Sequence, residues 1–181
     1  MARFLNLIFM LTLAVLLTAA AAANAKQKLS APVTDEAQQL YRIYGDAVYQ
    51  VEVIDVTSGK KTSIGSGFQF TADGLIATNY HVIAEALQRP ESNRVEFIHD
   101  QGGTGPLKIV LVDVIHDLAI VKMEHPGTTF LNLGTSKLAK GTKLFSLGNP
   151  HDIGFTIIEG TYNGFSRDSF NDKIHFSGSL N

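Results

Sequence analysis

The 181-residue chain contains no cysteine and no tryptophan, and only 5 of its residues are proline. Without cysteine it cannot form a disulfide scaffold, use a thiol nucleophile or hold zinc through thiolates. Its 15 Lys and Arg against 17 Asp and Glu give a net charge of −2, so it lacks the basic excess typical of nucleic-acid binding. Hydrophobic residues make up 45% and charged residues 18%, which indicates a globular protein.

The first 25 residues have the pattern of a secretory signal peptide. Arg3 precedes an apolar stretch over residues 5–17, and Ala23-Asn24-Ala25 is typical of a cleavage site. We expect residues 1–25 to be removed, leaving an exported protein, periplasmic or secreted, with no membrane attachment. The alternative is an uncleaved anchor, because the apolar stretch just reaches the length that spans a bilayer.

The rest of the chain predicts one helix followed by short strands. Residues 26–33 are polar and are interpreted as a linker. Thr34 is a candidate N-cap for a helix that Gly45 ends. A second helix is expected over residues 81–88. Six strands are predicted over residues 48–56, 67–71, 75–78, 94–98, 107–114 and 118–123.

Three more strands are predicted after Pro126, over residues 143–147, 155–160 and 173–176. Six strands, a break and further strands predict an all-β chain of two consecutive barrels or sandwiches. We therefore place a helix and a first barrel in residues 34–125, and the start of a second barrel in residues 126–181. Three strands cannot close a barrel, so the second is expected to be incomplete and less securely packed.

Two titratable residues lie at the ends of predicted strands. His81 follows the strand at residues 75–78 and opens a helix, and Asp117 directly precedes the apolar sequence LAIV. An imidazole oriented by a carboxylate is the arrangement that general-base catalysis uses. Because strand-end His and Asp residues are more often simply solvated, spacing alone leaves both interpretations open.

Other candidates have simpler explanations. His81 and Glu85, four residues apart on a helix, are a weak metal pair with no second histidine to assist. Asp113 and Asp100 are alternative acids, and Asp113 is interpreted as a turn carboxylate. The remaining five histidines are interpreted as surface residues, and Tyr41, Tyr44, Phe68 and Phe70 as core.

Several segments resemble a known family. GSGF at residues 65–68 and DGLIATNYHVI at residues 73–83 closely resemble the catalytic-histidine region of trypsin-like serine peptidases, in particular the cysteine-free HtrA (Deg) type. HDLAIVK at residues 116–122 resembles the segment of the catalytic aspartate, and LGNP at residues 147–150 the start of the second barrel. The resemblance covers about residues 35–181.

The resemblance implies a trypsin-like double β-barrel and a serine endopeptidase that acts on proteins through an acyl-enzyme. It implies His81 as the general base and Asp117 as the residue that orients it. It implies no cofactor and no metal. The expected partners are protein or peptide substrates, unfolded ones included, with a homotrimer as a candidate assembly and no nucleic acid.

In this family the nucleophile lies in a P-G-x-S-G-G-P loop, which is expected beyond Asn181. Ser177 and Ser179 lack the flanking glycines and are interpreted as strand-end hydroxyls. The chain as given is therefore expected to be inactive, since it also lacks the oxyanion-hole amides. The alternative is a non-catalytic binding or chaperone-like protein with a peptidase-derived fold, but a retained His–Asp pair argues against it.

Overall fold

The computed structural model describes residues 35–134, 137–148, 154–166 and 173–178. Helix α1 (Asp35–Tyr44) and a 3₁₀ turn (Gly45–Ala47) come first. They are followed by β1 (Val48–Asp55), β2 (Lys61–Gln69), β3 (Leu75–Thr78), α2 (Tyr80–Gln88), β4 (Asn93–His99), β5 (Thr104–Asp113) and β6 (Leu118–Met123). The last strands are β7 (Lys143–Gly148), β8 (Thr156–Phe165) and β9 (Ile174–Gly178).

The first six strands form a closed antiparallel barrel in the order β1-β2-β3-β6-β5-β4. Alternate residues point inward, as the two-residue period of a strand requires. Val51 and Val53 on β1 and Ala119, Val121 and Met123 on β6 are buried in one apolar cluster. These β-branched and small side chains fill the interior, so the barrel is a packed core.

The last three strands form an open antiparallel sheet in the order β7-β8-β9. Among the described hydrophobic residues after Pro126, Tyr162 is the one that is buried. Ile157, Ile158 and Phe176 are only half-buried. The predicted all-β, trypsin-like architecture, with a closed first barrel and a partial second sheet, is confirmed.

Two strands are longer than predicted. β2 begins at Lys61 instead of residue 67, because the polar residues before Gly65 continue the ladder with β1 from the Ile54–Lys61 pair onward. β8 continues past residue 160 to Phe165, which pairs with Ile174 of β9. In both cases a neighbouring strand supplies hydrogen bonds that local propensity does not reveal.

The N-terminal predictions, residues 1–25 as a signal peptide, residues 26–33 as a linker and Thr34 as a cap, lie outside the described residues. The division at Pro126 stays a prediction. In the part of the chain that the structure describes, no helix is long and apolar enough to cross a membrane.

The prediction that Tyr41 belongs to the core is wrong. Its side chain is 37% exposed, and its hydroxyl donates to Asp100 Oδ2 at 2.6 Å. The ring packs edge-on against Phe155 with 5.3 Å between centroids. Helical spacing places Tyr41 on the inner face of α1, but its side chain contacts the carboxylate of Asp100 and the ring of Phe155 instead of the barrel core.

Gln69 fastens the segment after β6 to the barrel. Its side chain is fully buried, and its Nε2 donates to the carbonyls of Thr71 and Gly127, each at 2.9 Å. Its Oε1 accepts the Gly127 N–H at 3.1 Å. A buried side-chain amide whose hydrogen bonds are all made is stabilising, and removing it leaves the partly buried main-chain groups of Thr71 and Gly127 without these bonds.

We predict that Gln69→Ala lowers the free energy of unfolding by about 2–4 kcal/mol, because the partly buried main-chain groups of Gly127 lose their partners and a cavity forms where the buried side chain was. Urea unfolding measures the difference. The control is Gln101→Ala, which removes one exposed bond to Asp46 and should change stability by less than about 0.5 kcal/mol. Equal losses of stability in the two variants would contradict a stabilising role of the Gln69 hydrogen bonds.

The difference in packing predicts different hydrogen exchange. Amides of Leu75–Thr78 lie in a closed, buried barrel, whereas residues 157–160 lie in an open, half-buried sheet. We expect exchange at residues 157–160 to be faster by at least about tenfold, since such sheets open locally at lower free energy. Exchange followed by NMR tests this, and equal protection of the two segments would contradict it.

Candidate active site

Helix α2 presents His81 to solvent because its opposite face is anchored to the barrel. Val82 and Ile83 are buried in the core, while His81 has a side chain 69% exposed. The helix lies so close to β2 that a Cβ on Gly65 would overlap the Val82 side chain. Glycine at residue 65 therefore sets how near the start of α2 comes to the barrel wall.

The pairing of β3 with β6 brings the two predicted site residues together. Thr78, the last residue of β3, lies opposite Ala119 near the start of β6. In an antiparallel pair, the chain leaving β3 and the chain entering β6 meet at the same end. His81 and Asp117 lie in these two segments, although 36 positions separate them in sequence.

The side chains of His81 and Asp117 are in direct contact. His81 Nδ1 lies 2.8 Å from Asp117 Oδ2, and the His81 main-chain N–H donates to Oδ1 at 2.9 Å. Both carboxylate oxygens are therefore engaged by one residue, which fixes the carboxylate plane relative to the ring. The predicted contact is present.

Asn79, between β3 and α2, bonds to Asp117 through its side chain. Its Nδ2 donates to the Asp117 carbonyl at 3.0 Å and to Oδ2 at 3.2 Å. An asparagine before a helix usually caps it through its side-chain oxygen, yet α2 has no side-chain cap. The amide instead holds Asp117, and the Tyr80 N–H adds a bond to the same carbonyl at 3.2 Å.

The bonds around Asp117 keep it ionised. Desolvation acts to raise the pKa of Asp117, but the hydrogen bonds from the His81 main chain and imidazole, the His81 charge and Asn79 outweigh it, and the pKa lies below the ordinary 3.8. A carboxylate can only accept hydrogen bonds, so the proton of the neutral imidazole belongs on Nδ1. Nε2 is then the nitrogen that accepts a proton.

The other sequence candidates have separate partners. Glu85 pairs with Arg89 at 3.7 Å. Asp113 pairs with His116, with 2.6 Å between Nδ1 and Oδ2. Ser177 Oγ accepts a hydrogen bond from Asn163 at 2.8 Å. Ser179 and His151 lie outside the described residues.

The prediction that His99 is a surface residue is wrong. Its side chain is only 17% exposed, and its ring lies against Tyr49 with 5.3 Å between centroids. The position at the end of β4 suggested a loop, but the barrel interior supplies an aromatic neighbour there.

A cleft of about 260 Å³ adjoins the dyad and extends to the second sheet. Phe68, Asn79 and Leu118 line it from the barrel, and Leu147 of β7 lines it from the other side. The cleft is mainly apolar and reaches Asn79 and Leu118, which lie next to the dyad in the chain, so a ligand held in it would lie near His81.

Comparison with known proteins agrees with this geometry. A family model described as trypsin-like peptidase domain matches residues 65–181. Protease Do-like 5, chloroplastic, of Arabidopsis thaliana is 37% identical over 126 residues, covering 63% of this chain and 38% of that protein. A probable periplasmic serine endoprotease DegP-like of Marinomonas sp. (strain MWYL1) is 30% identical over 118 residues, covering 64% of this chain and 24% of that protein.

Among solved structures, that of Deg5 superposes with a TM-score of 0.66 at 28% identity, covering 82% of this chain and 76% of that chain. The chain belongs to the trypsin-like peptidase domain family. Within it, the relatives identify the HtrA type, as the sequence resemblance implied. The chain spans less than two fifths of the two curated relatives.

The lowered pKa of Asp117 predicts how stability depends on pH. A carboxyl with a folded-state pKa below its unfolded value of 3.8 stabilises the fold fully above that value, and the contribution is lost as pH falls through the folded-state pKa. The loss in free energy of unfolding caused by Asp117→Asn should therefore shrink as the pH falls below about 4.

Urea unfolding of the parent and of Asp117→Asn between about pH 7 and about pH 2.5 measures this. Gln69→Ala, which removes no ionisable group, is the control and should not follow the profile. A loss for Asp117→Asn that is the same at every pH would contradict the charge-based stabilisation.

Proposed function

We propose that this protein is an HtrA-type serine endopeptidase that cleaves protein substrates by acyl transfer, with His81 as its general base. The observation that carries the proposal is the 2.8 Å bond between His81 Nδ1 and Asp117 Oδ2 beside an apolar cleft. Membership of the trypsin-like peptidase family supplies the reaction class.

In the proposed mechanism, His81 Nε2 takes the proton of a serine hydroxyl as that oxygen attacks the substrate carbonyl. The imidazolium that forms is stabilised by Asp117, which stays ionised because its pKa is low. His81 then gives the proton to the leaving amine, so the peptide bond breaks and an ester to serine remains. A water molecule then attacks this ester while His81 takes its proton, and His81 returns the proton to the serine as the acid product leaves.

The serine is assigned to a P-G-x-S-G-G-P loop of the whole protein, and not to Ser177. Ser177 Oγ is already bonded to Asn163, and the Phe176-Ser177-Gly178-Ser179 sequence has one glycine beside the serine where the loop that forms an oxyanion hole has a glycine two residues before its serine and two directly after it. The proposal includes removal of residues 1–25, export to the periplasm or beyond, and assembly as a homotrimer. Export is supported by the printed name of the Marinomonas relative, which is periplasmic.

The second candidate function is binding of unfolded polypeptide without cleavage. The feature that favours it is the apolar cleft, which would hold a chain whether or not a nucleophile is present. The two functions differ in one measurable product, new amino termini in a bound protein.

The test is cleavage of casein by the protein as its gene encodes it. We predict that His81→Ala and Asp117→Asn each lower kcat/KM by about 10³-fold or more, because the base is lost or its tautomer reversed. Folding should be retained, since the side chains of both residues are partly exposed.

The matched controls are His125→Ala and Asp73→Asn, an exposed histidine and an exposed carboxylate away from the dyad. Both should keep kcat/KM within about twofold of the parent. Casein that is bound but never cleaved would overturn the peptidase and favour the binding function. Cleavage that persists in His81→Ala would overturn the assignment of the base.

A further inference from the structure

Asp117 has an unusual backbone. Its φ is +53°, and it is the one non-glycine residue with a positive φ in the described part of the chain. The left-handed region is strained for a residue with a side chain, although aspartate tolerates it better than most. The conformation turns the carboxylate toward α2, so something must stabilise the loop that imposes it.

The loop between β5 and β6, residues 114–117, gains little from apolar packing. Val114 is 60% exposed and Ile115 is 77% exposed. A main-chain bond across the loop, from the Asp117 N–H to the Val114 carbonyl, is long at 3.4 Å. Polar side chains must therefore supply the order that hydrophobic contact does not.

Asp113 bonds to His116 across this loop. Its Oδ1 accepts the main-chain N–H of His116 at 3.1 Å, and its Oδ2 lies 2.6 Å from His116 Nδ1. Asp113 pairs with Leu118 in the ladder, so it stands at the base of the loop and reaches across to the residue before Asp117. The main-chain N–H bond and the His116 imidazole lower the pKa of Asp113, which therefore stays charged.

We propose that Asp113 is a positioning residue for the candidate active site: by holding His116, it fixes the left-handed backbone of Asp117 and hence the carboxylate that orients His81. This inference rests on the proposed function and adds to it a second His–carboxylate pair. Asp113 touches neither His81 nor the cleft. It acts through the peptide bond between His116 and Asp117.

The direct readout is the tautomer of His81, which needs no turnover. Long-range ¹H–¹⁵N NMR at about pH 8, where imidazole is mostly neutral, distinguishes a proton on Nδ1 from one on Nε2. We expect mainly Nδ1–H in the parent and mainly Nε2–H in Asp117→Asn. The proportion of Nδ1–H in Asp113→Ala should lie between those of the parent and Asp117→Asn. Its kcat should fall by about tenfold with KM within about twofold, since a misplaced imidazole affects the transition state more than substrate binding.

Two variants separate positioning from simple loss of structure. Asp113→Asn keeps an oxygen for the His116 N–H and should restore the parent tautomer and most of kcat. The control Asp73→Ala removes another surface carboxylate, bonded to Lys122 of β6 at 2.8 Å, and should leave the His81 tautomer unchanged. If Asp113→Ala does not fold, His116→Ala decides, because it removes only the imidazole bond and should shift the tautomer less in the same direction.

The outcomes distinguish this inference from the proposed function. The positioning role is overturned if folded Asp113→Ala gives the His81 signals of the parent, even if the protein cleaves casein. Where Asp113→Ala does not fold, the same result in His116→Ala overturns it. A shifted tautomer supports the positioning role even if no cleavage is found. A tautomer that shifts equally in Asp73→Ala would show a general loosening of β6 and would also overturn it.

Discussion

The site depends on the hydrogen-bonded pairing of β3 with β6. This pairing closes the barrel, and its register sets Thr78 opposite Ala119. A shift of one residue would turn the buried Val121 outward and separate the segments that carry His81 and Asp117. The alternating apolar side chains of β6 therefore specify the site as well as the core, because only one register buries them.

Around that register, Asp117 accepts hydrogen bonds from three successive residues. Asn79, Tyr80 and His81 all donate to its carbonyl or its carboxylate. The carboxylate is bonded by the main chain and the imidazole of His81 and by the Asn79 amide, while the Tyr80 N–H and Asn79 hold the carbonyl of the same residue. A general base gains from such rigidity, since its partner need not reorganise as charge develops.

Much of this could be predicted from the sequence. Alternation of β-branched residues identified the barrel strands, and the TNYH and HDLA segments identified the family and predicted His81 and Asp117, which the structure brings into contact. Where the prediction failed, the cause was a neighbour distant in sequence. Polar Lys61 extends β2 because β1 pairs with it, and His99 is covered because Tyr49 lies against it. Local pattern cannot show either contact.

The positive φ of Asp117 and the hydrogen bonds that Asn79 donates could not be predicted from the sequence either. Aspartate and asparagine are compatible with turns and caps in many conformations, so residue type alone does not reveal which atoms bond. Which atoms bond is decided by the register at Thr78 together with the loop between β5 and β6.

The separation of His81 and Asp117 by 36 positions also bears on how the protein folds. Closing a long loop costs chain entropy before any contact repays it, so pairings distant in sequence form late. The barrel wall that joins β3 to β6 is such a pairing, whereas the β1–β2 and β5–β6 hairpins are local. A nascent chain therefore has no oriented imidazole until its barrel has closed. The order of assembly therefore orients His81 only once the strands around it are paired.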